Sequence, residues 1–416
     1  PARRRHPSPV RDVRMPREGT RRAMALRNGT RFAVYGVPMK LLARHLEHTP
    51  QPITLPYLLA HGGQPGKPPT PEELLRSAQY TQKELPVRLA RRVRQFYSLP
   101  FIVGTNPYIQ DAARLYASSF QRLCELPAIH SLEDNDVFTH ELRELVHEHA
   151  DLVPTLARGF MECKMYMDNE RISRFLNAAL HSRIGIRLIA EQHLALTESA
   201  HKARNSDDLA STTTSPTSVG IIDTQMSPVE VIQQSGAYVQ ALCEATFEMA
   251  PVIQFEGDLD ARTVGIPVHL DYVMTELLKN SFRATTEMFL SRHPSGSAED
   301  LPPIIVTLSS GPSQITIRIR DEGGGIPPEN MSQIFSYAFT SVPTQSDEAQ
   351  SGDDAATHGL SSSMGTLAGL GYGLPLSRLY LNYFGDSDLD IESLYGYGCD
   401  TFVKLSRLIG TSNVQI

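Results

Sequence analysis

Glu276, Asn280 and Arg283 lie within two helical turns of one another in the stretch His269 to Glu287, HLDYVMTELLKNSFRATTE. At helical period they share a face with Lys279 and Glu287. Leu270, Val273, Met274, Leu277, Leu278 and Ser281 form the opposite, largely apolar face. A carboxylate that takes a proton, a carboxamide one turn on that ligates a hard cation, and an arginine beyond it suit a metal-phosphate site. A solvated helix with ordinary charge pairs would carry the same residues. The downstream sequence decides between the two. DEGGGIP (321–327) follows a strand and GLGYGL (369–374) precedes a helix. Glycine-rich turns let backbone amides approach phosphate oxygens, and a following helix adds its positive end. An acidic residue at a strand end can accept from an adenine amine. Each turn alone is weak evidence. In this order after ExxxN they are specific.

The elements that must position these groups are legible around them. Strands are expected at 219–223 and 252–258, with a helix between them from Pro228 to Glu248. Two alternating hairpins follow, at 303–309 with 314–320 and at 388–394 with 401–407. Helices mixed with mostly antiparallel strands give an α+β layer. Upstream, helical spacing runs over Glu72 to Ser98, where Pro86 is expected to bend or divide it. Further helices are expected from Asp111 to Leu126, Asp134 to His149, Pro154 to Met167 and Glu170 to Glu198. Four or more long helices with short connections predict an antiparallel bundle. Residues 50–71, rich in Pro and Gly, read as a loop. Residues 201–218, polar and rich in Ser and Thr, read as a linker.

Length and composition bound the rest. The 416 residues are enough for two cores, and 41% hydrophobic with 20% charged residues describe a globular chain. A net charge of −7 argues against a nucleic-acid partner. Cys124, Cys163, Cys243 and Cys399 are scattered, which fits reduced thiols. No stretch is apolar enough for a transmembrane segment. Arginine recurs at 3, 4, 5, 11, 14, 17, 21, 22, 27 and 31 against only Asp12 and Glu18. That bias resembles a mitochondrial transit segment. The sequence contains no GxxxxGK[ST] P-loop, no HRD or DFG pair, no HExxH and no Ser-His-Asp signature.

ELLKNSFRA, DEGGGI and GLGYGL resemble the N, G1 and G2 boxes of the ATPase superfamily shared by histidine kinases, Hsp90, gyrase and MutL. The finer resemblance is to the mitochondrial 2-oxo acid dehydrogenase kinases. It is carried by YTQKELPVRLARRVRQFYSLPFIVGTNP (80–107), LVPTLARGF (152–160), SRIGIRLIAEQHLAL (182–196), ELLKNSFRATTE (276–287) and LAGLGYGLPLSRLYLNYFG (367–385). It implies a helical bundle followed by a GHKL-type (Bergerat) α/β sandwich. The expected division is a basic presequence and lead-in at 1–49, a regulatory and lipoyl-domain-docking bundle at 50–200, the linker, and a catalytic domain at 219–410 with an ATP lid at 342–366.

The resemblance also implies a function. The chain would be a mitochondrial matrix protein serine kinase that uses ATP and Mg²⁺ to phosphorylate and inactivate the E1α subunit of a pyruvate or branched-chain dehydrogenase complex. The implied general base is Glu276 and the implied magnesium ligand is Asn280. Lys279, Arg283 and Glu287 would support the nucleotide, Asp321 would read adenine, and Gly323 and Gly325 would make room for it. Thr340 and Ser341 would contact ATP, and Gly369, Leu370, Gly371, Tyr372, Gly373 and Leu374 would wrap the phosphates. His149, Ser182, Arg183, Ile186 and Arg187 fall where relatives bind regulatory oxo acids. Bundle-internal ion pairs would use the same residues. A lipoyl domain of the E2 core and a second copy of the chain are the expected partners.

Two departures stand out. Tyr272 occupies the position where pyruvate-type members place a histidine, so Glu276 lacks its usual partner. The chain has no Trp, so the Asp-Trp tail of pyruvate-type dimers is missing. His269 is expected as a surface or helix-start residue, and His181 and His193 are expected to pack or face solvent. A sensor-type histidine kinase and an ATP-gated scaffold are the alternative functions.

Overall fold

The computed structural model describes residues 33–205, 216–337, 371–385 and 387–407. The basic segment 1–31, the lid at 342–366, and Thr340, Ser341, Gly369 and Leu370 lie outside them. After a short hairpin of β1 (Ala33–Val34) and β2 (Val37–Pro38), helices dominate as far as Asn205. Among the described residues no helix is long and apolar enough to cross a membrane.

The first long helix, Pro71–Tyr97, starts at a capping box in which Thr70 Oγ1 accepts from Glu73 N and Glu73 Oε2 accepts from Thr70 N. It runs unbroken through Pro86. Leu85, Pro86, Val87, Leu89, Ala90, Val93 and Phe96 are all buried, so packing on both sides of the proline holds one helix together. The next long helix, Pro107–Glu125, begins four residues before the expected Asp111, because Asn106 caps it and Pro107 takes the first turn. Ser131 caps Leu132–Glu148, with Asp134 as the third residue of its capping box. Leu152–Glu162 is shorter than expected and stops at Cys163.

Asn169–Asn205 is longer than expected, absorbing the start of the expected linker. Near its end Lys202 pairs with Glu198 at 2.8 Å, and His201 reaches Asp136 at 3.0 Å. Within the stretch expected as loop, Leu55–His61 is a helix, since Thr54 caps it and Pro56 sits in its first turn.

The stretch expected as one strand at 219–223 is a tight hairpin, β3 (Ser218–Val219) with β4 (Ile222–Met226). Gly220, at φ +60°, turns the chain between them. A further strand, β6 (Thr263–Gly265), pairs with β4. Gln192 of the long helix donates to Val219 O at 3.2 Å and accepts from Ile221 N at 2.8 Å, pinning this small sheet to the bundle.

The main sheet has the order β5 (Ile253–Gly257), β7 (Ile304–Ser310), β8 (Gln314–Asp321), β10 (Gly398–Ser406), β9 (Asp388–Leu394). β5 and β7 are parallel and the other neighbours antiparallel. Helices Pro228–Phe247, Pro267–Arg292 and Gly373–Leu381 supply the second layer. Their core joins Leu270, Val273, Met274, Leu277 and Leu278 to Ile304, Val306, Ile315, Ile317, Ile319, Leu389 and Val403. Ile315, Ile317 and Ile319 point inward at strand period, and Asp321 ends the strand on the same parity. That parity delivers a carboxylate to the helix-covered face.

Candidate active site

Helix Pro267–Arg292, the end of β8 and the turn before Gly373–Leu381 enclose a cavity of about 540 Å³. Glu276, Lys279, Asn280, Arg283, Glu287, Asp321, Gly323, Gly325, Gly371, Gly373 and Leu374 all line it. Glu276 and Lys279, expected on a polar outer face, are both buried there, with Oε1 and Nζ 2.5 Å apart. A Cβ on Gly373 would meet Glu276 Oε2 at 2.4 Å, so the glycine turn can close on the carboxylate only without a side chain. Asn280 is exposed at the cavity with its carboxamide available. Arg283 and Glu287 pair at 2.6 Å, one turn apart.

Asp321 is held at three points. Ser281 Oγ donates to Oδ2 at 3.1 Å, and the amides of Gly323 and Cys399 donate to Oδ1 at 3.0 and 3.2 Å. Burial raises its pKa above the usual aspartate value, against the pull of those donors. Ser281 belongs to the helix face read as apolar, and its hydroxyl does polar work. Gly323 and Gly325 line the cavity, but neighbouring protein dictates their size. A Cβ at Gly323 would sit 2.4 Å from Ala284 Cβ, and one at Gly325, where φ is +74°, would sit 2.6 Å from Leu394 O. Tyr372 departs from expectation: it does not line this cavity, and its ring is buried in the core of the helical half.

Several cavity residues escaped the motifs. Met288 continues the Ser281–Ala284 stripe at helical spacing, a signal the sequence does hold. Cys399 and Thr401 arrive through the β8–β10 register, which pairs Cys399 with Asp321, and no local pattern announces that. Tyr272 leans on Tyr380, ring centroids 4.9 Å apart, and its buried hydroxyl has no hydrogen-bond partner. His269 sits in the first turn of helix Pro267–Arg292, as a helix-start residue, but is not at the free surface. It packs against Tyr380 at 4.7 Å, and burial, helped by Arg187, pushes its pKa down to about 3.

The residues of the expected regulatory pocket gather around a smaller cavity of about 30 Å³ in the bundle, lined by Tyr116, Ser119, His149, Arg183, Ile186 and Arg187. Ser182 is not among its lining residues. His149 Nε2 and Ser119 Oγ are hydrogen-bonded at 2.8 Å, and Arg187 Nε donates to Glu191 Oε1 at 2.9 Å. Arg183 donates to His149 O at 3.4 Å. Burial, then Arg183 and Arg187, push the His149 pKa down to about 4. Of the other helical-half histidines, His193 is buried between Ser77 and Thr139 and His181 stacks on Tyr383, as packing residues do.

The large cavity suits a nucleotide. A buried carboxylate with a lone pair to spare, a glycine turn and a helix face of opposite charges match the chemistry of a base, phosphates and a hard cation. Among the described residues no cluster of three His, Cys, Asp or Glu could hold a metal unaided. A cation here would share its ligands between Asn280, phosphate oxygens and water, as Mg²⁺ does.

Comparison with known proteins agrees with this chemistry. Residues 52–223 match the family described as mitochondrial branched-chain alpha-ketoacid dehydrogenase kinase. Residues 265–408 match the histidine kinase-, DNA gyrase B- and HSP90-like ATPase family. The mitochondrial [pyruvate dehydrogenase (acetyl-transferring)] kinase of Arabidopsis thaliana is 34% identical over 359 residues, covering 86% of this chain and 90% of that protein. Isozyme 4 of Homo sapiens is 30% identical over 392 residues, covering 89% and 86%. Isozyme 3 of Homo sapiens is 29% identical over 391 residues, covering 90% and 87%. The chain belongs to the mitochondrial 2-oxo acid dehydrogenase kinase family, ATP-using protein kinases built from a helical bundle and a GHKL-type ATPase fold.

Proposed function

We propose that the chain is a protein serine kinase of the mitochondrial matrix that uses Mg-ATP to phosphorylate, and so inactivate, the E1α subunit of a pyruvate- or branched-chain-type dehydrogenase complex. The observation that carries this reading is the convergence of Glu276, Lys279, Asn280 and Asp321 on one glycine-bounded cavity. Mg-ATP would supply the phosphoryl group and neutralise its developing charge. Asn280 would ligate the magnesium, Asp321 would accept from the adenine amine, and Gly369, Leu370, Gly371, Gly373 and Leu374 with Thr340 and Ser341 would surround the phosphates. Lys279 would hold Glu276 in orientation, and Glu276 would take the proton of the acceptor serine hydroxyl. Most of the acceleration would then come from positioning and electrostatics.

The helical half, up to residue 200, would be the regulatory domain that docks a lipoyl domain of E2. Residues 219–410 would be the catalytic domain, through which two copies dimerise. Arg183 and His149 would receive a small oxo acid. Calorimetry showing no oxo-acid binding to the wild type, or equal binding to Arg183→Ala, would dismiss that last role.

The decisive assay offers the purified protein and Mg-ATP to pyruvate and branched-chain dehydrogenase E1 in parallel. Acid-stable phosphoserine on one of them is expected and identifies the substrate. Transfer to neither, or an acid-labile phosphohistidine on the chain itself, would overturn the reading.

A further inference from the structure

A protein kinase brings two substrates to one carboxylate, and the nucleotide cavity accounts for one of them. A second cleft of about 500 Å³ lies on the other side of the glycine turn, within the usual ~300–1,000 Å³ of ligand clefts. Its walls come from both halves of the molecule. Lys164 lies between two bundle helices, Glu170 and Ser173 at the start of the second of them, and Gln333 and Ser336 in the segment after the DEGGGIP turn. Tyr372, buried, closes one side. Tyr337 Oη donates to Asn177 Oδ1 at 2.6 Å and its ring lies 5.2 Å from that of Tyr372, so this wall is fixed to the bundle.

Glu276 lines the nucleotide cavity, and the second cleft comes near it at Tyr372, which lines that cleft. Glu276 Oε1 is turned to Lys279, which lines the nucleotide cavity. Its Oε2 faces Gly373, the residue next to Tyr372. In phosphoryl transfer the attacking and leaving oxygens stand roughly in line on opposite sides of phosphorus. An acceptor hydroxyl must therefore reach the base from a side that the nucleotide does not fill, and the Tyr372 side offers a cleft there.

The lining chemistry selects the occupant. One exposed cation, one exposed anion, two amides and two serine hydroxyls stand around a floor of buried Phe160 and Ile172. That set satisfies a peptide backbone and one or two side chains. It lacks the converging arginines that a second phosphate or a free dicarboxylate would need. We propose that this cleft seats the polypeptide segment flanking the acceptor serine of the protein substrate, an inference that rests on Glu276 being the base. On transfer the serine Oγ–H bond breaks with its proton passing to Glu276. The new Oγ–P bond replaces the bond from phosphorus to the leaving ADP oxygen.

The chain contains no tryptophan, so Gln333→Trp, at an exposed position, both crowds the cleft and creates a single fluorescent reporter. Expected for the full-length variant are an unchanged thermal midpoint, a KM for intact E1 raised about tenfold and an unchanged KM for ATP. A tryptophan-free synthetic peptide spanning the acceptor serine should shift the indole emission saturably. No emission response to the peptide, an unchanged KM for E1, or a parallel rise in the KM for ATP would overturn the cleft assignment. If the wild-type chain phosphorylates no E1 the kinase reading fails by itself, and the emission titration still decides whether the cleft takes the peptide.

Discussion

The nucleotide cavity and the bundle cavity hold similar side-chain types in opposite arrangements. The first is large, bounded by backbone turns, and keeps Asn280 exposed while Glu276 and Asp321 are buried and partnered. The second is about 30 Å³, room for roughly one water, and its residues turn mostly on one another. Arg187 is taken by Glu191 and His149 by Ser119, yet Arg183 Nε and the Tyr116 hydroxyl remain buried without partners. Orphaned polar atoms cost about 1–3 kcal/mol each. The nucleotide side is thus preformed for a large polyanion. The bundle side holds buried polar atoms, Arg183 Nε and the Tyr116 hydroxyl, with no protein partner beside a cavity of water size.

The largest test of this contrast is Asn280→Ala. Loss of the exposed carboxamide is expected to abolish Mg-ATP binding in calorimetry, and retained affinity would refute its place as the metal ligand. Glu276→Gln separates binding from chemistry on the same helix. Nucleotide affinity should persist while kcat falls ~10²–10⁴-fold, the range for removal of a general base. Undiminished transfer would eliminate the carboxylate as an essential base.

Acid sharpens the comparison from the bundle side. His149 and His193 have pKa values pushed down to about 4, mainly by burial. Their ordinary value is near 6.5, so between pH 6.5 and 4 the unfolded chain binds protons that the folded chain refuses. Stability is therefore unaffected by these groups above pH 6.5 and declines as pH falls through that window. The thermal midpoint should drop between pH 7 and pH 5, and His193→Gln should flatten the slope. A slope that His193→Gln leaves unchanged would show that this histidine is not responsible.

The same contrast explains what the sequence disclosed. The helix stripe, the strand ending at Asp321 and the glycine turns are local patterns that together pointed to a phosphate site, and the family resemblance assigned the roles. Hidden were features set by contacts distant in the chain. β6 is three residues long and meets β4 about forty residues away. Ser281 reads as part of an apolar face because its acceptor, Asp321, lies on a strand. Tyr372 sits inside a phosphate motif, yet packing against the bundle draws its ring elsewhere. Pro86 would break an isolated helix and does not break one buried on both sides. Asn106-Pro107 and Thr54 were local start signals that nearby Asp111 and the Pro/Gly density of 50–71 outweighed.

The smallest expected effect concerns Tyr272, the residue standing where a histidine partner of Glu276 was expected. If the tyrosine oriented the base, its hydroxyl would be engaged with the carboxylate. It is instead buried with no hydrogen-bond partner, and burial first, then the charge of Glu276, raises its pKa. The contact that fixes Glu276 is Lys279 at 2.5 Å, with Gly373 pressed against the other oxygen. Tyr272→Phe removes an unsatisfied polar atom and keeps the ring on Tyr380. It should therefore leave kcat nearly unchanged and raise stability by up to ~1 kcal/mol. Lys279→Met, in the same kinetic assay, should lower kcat while Tyr272→Phe does not. A large loss of kcat in Tyr272→Phe would return the orienting role to the tyrosine.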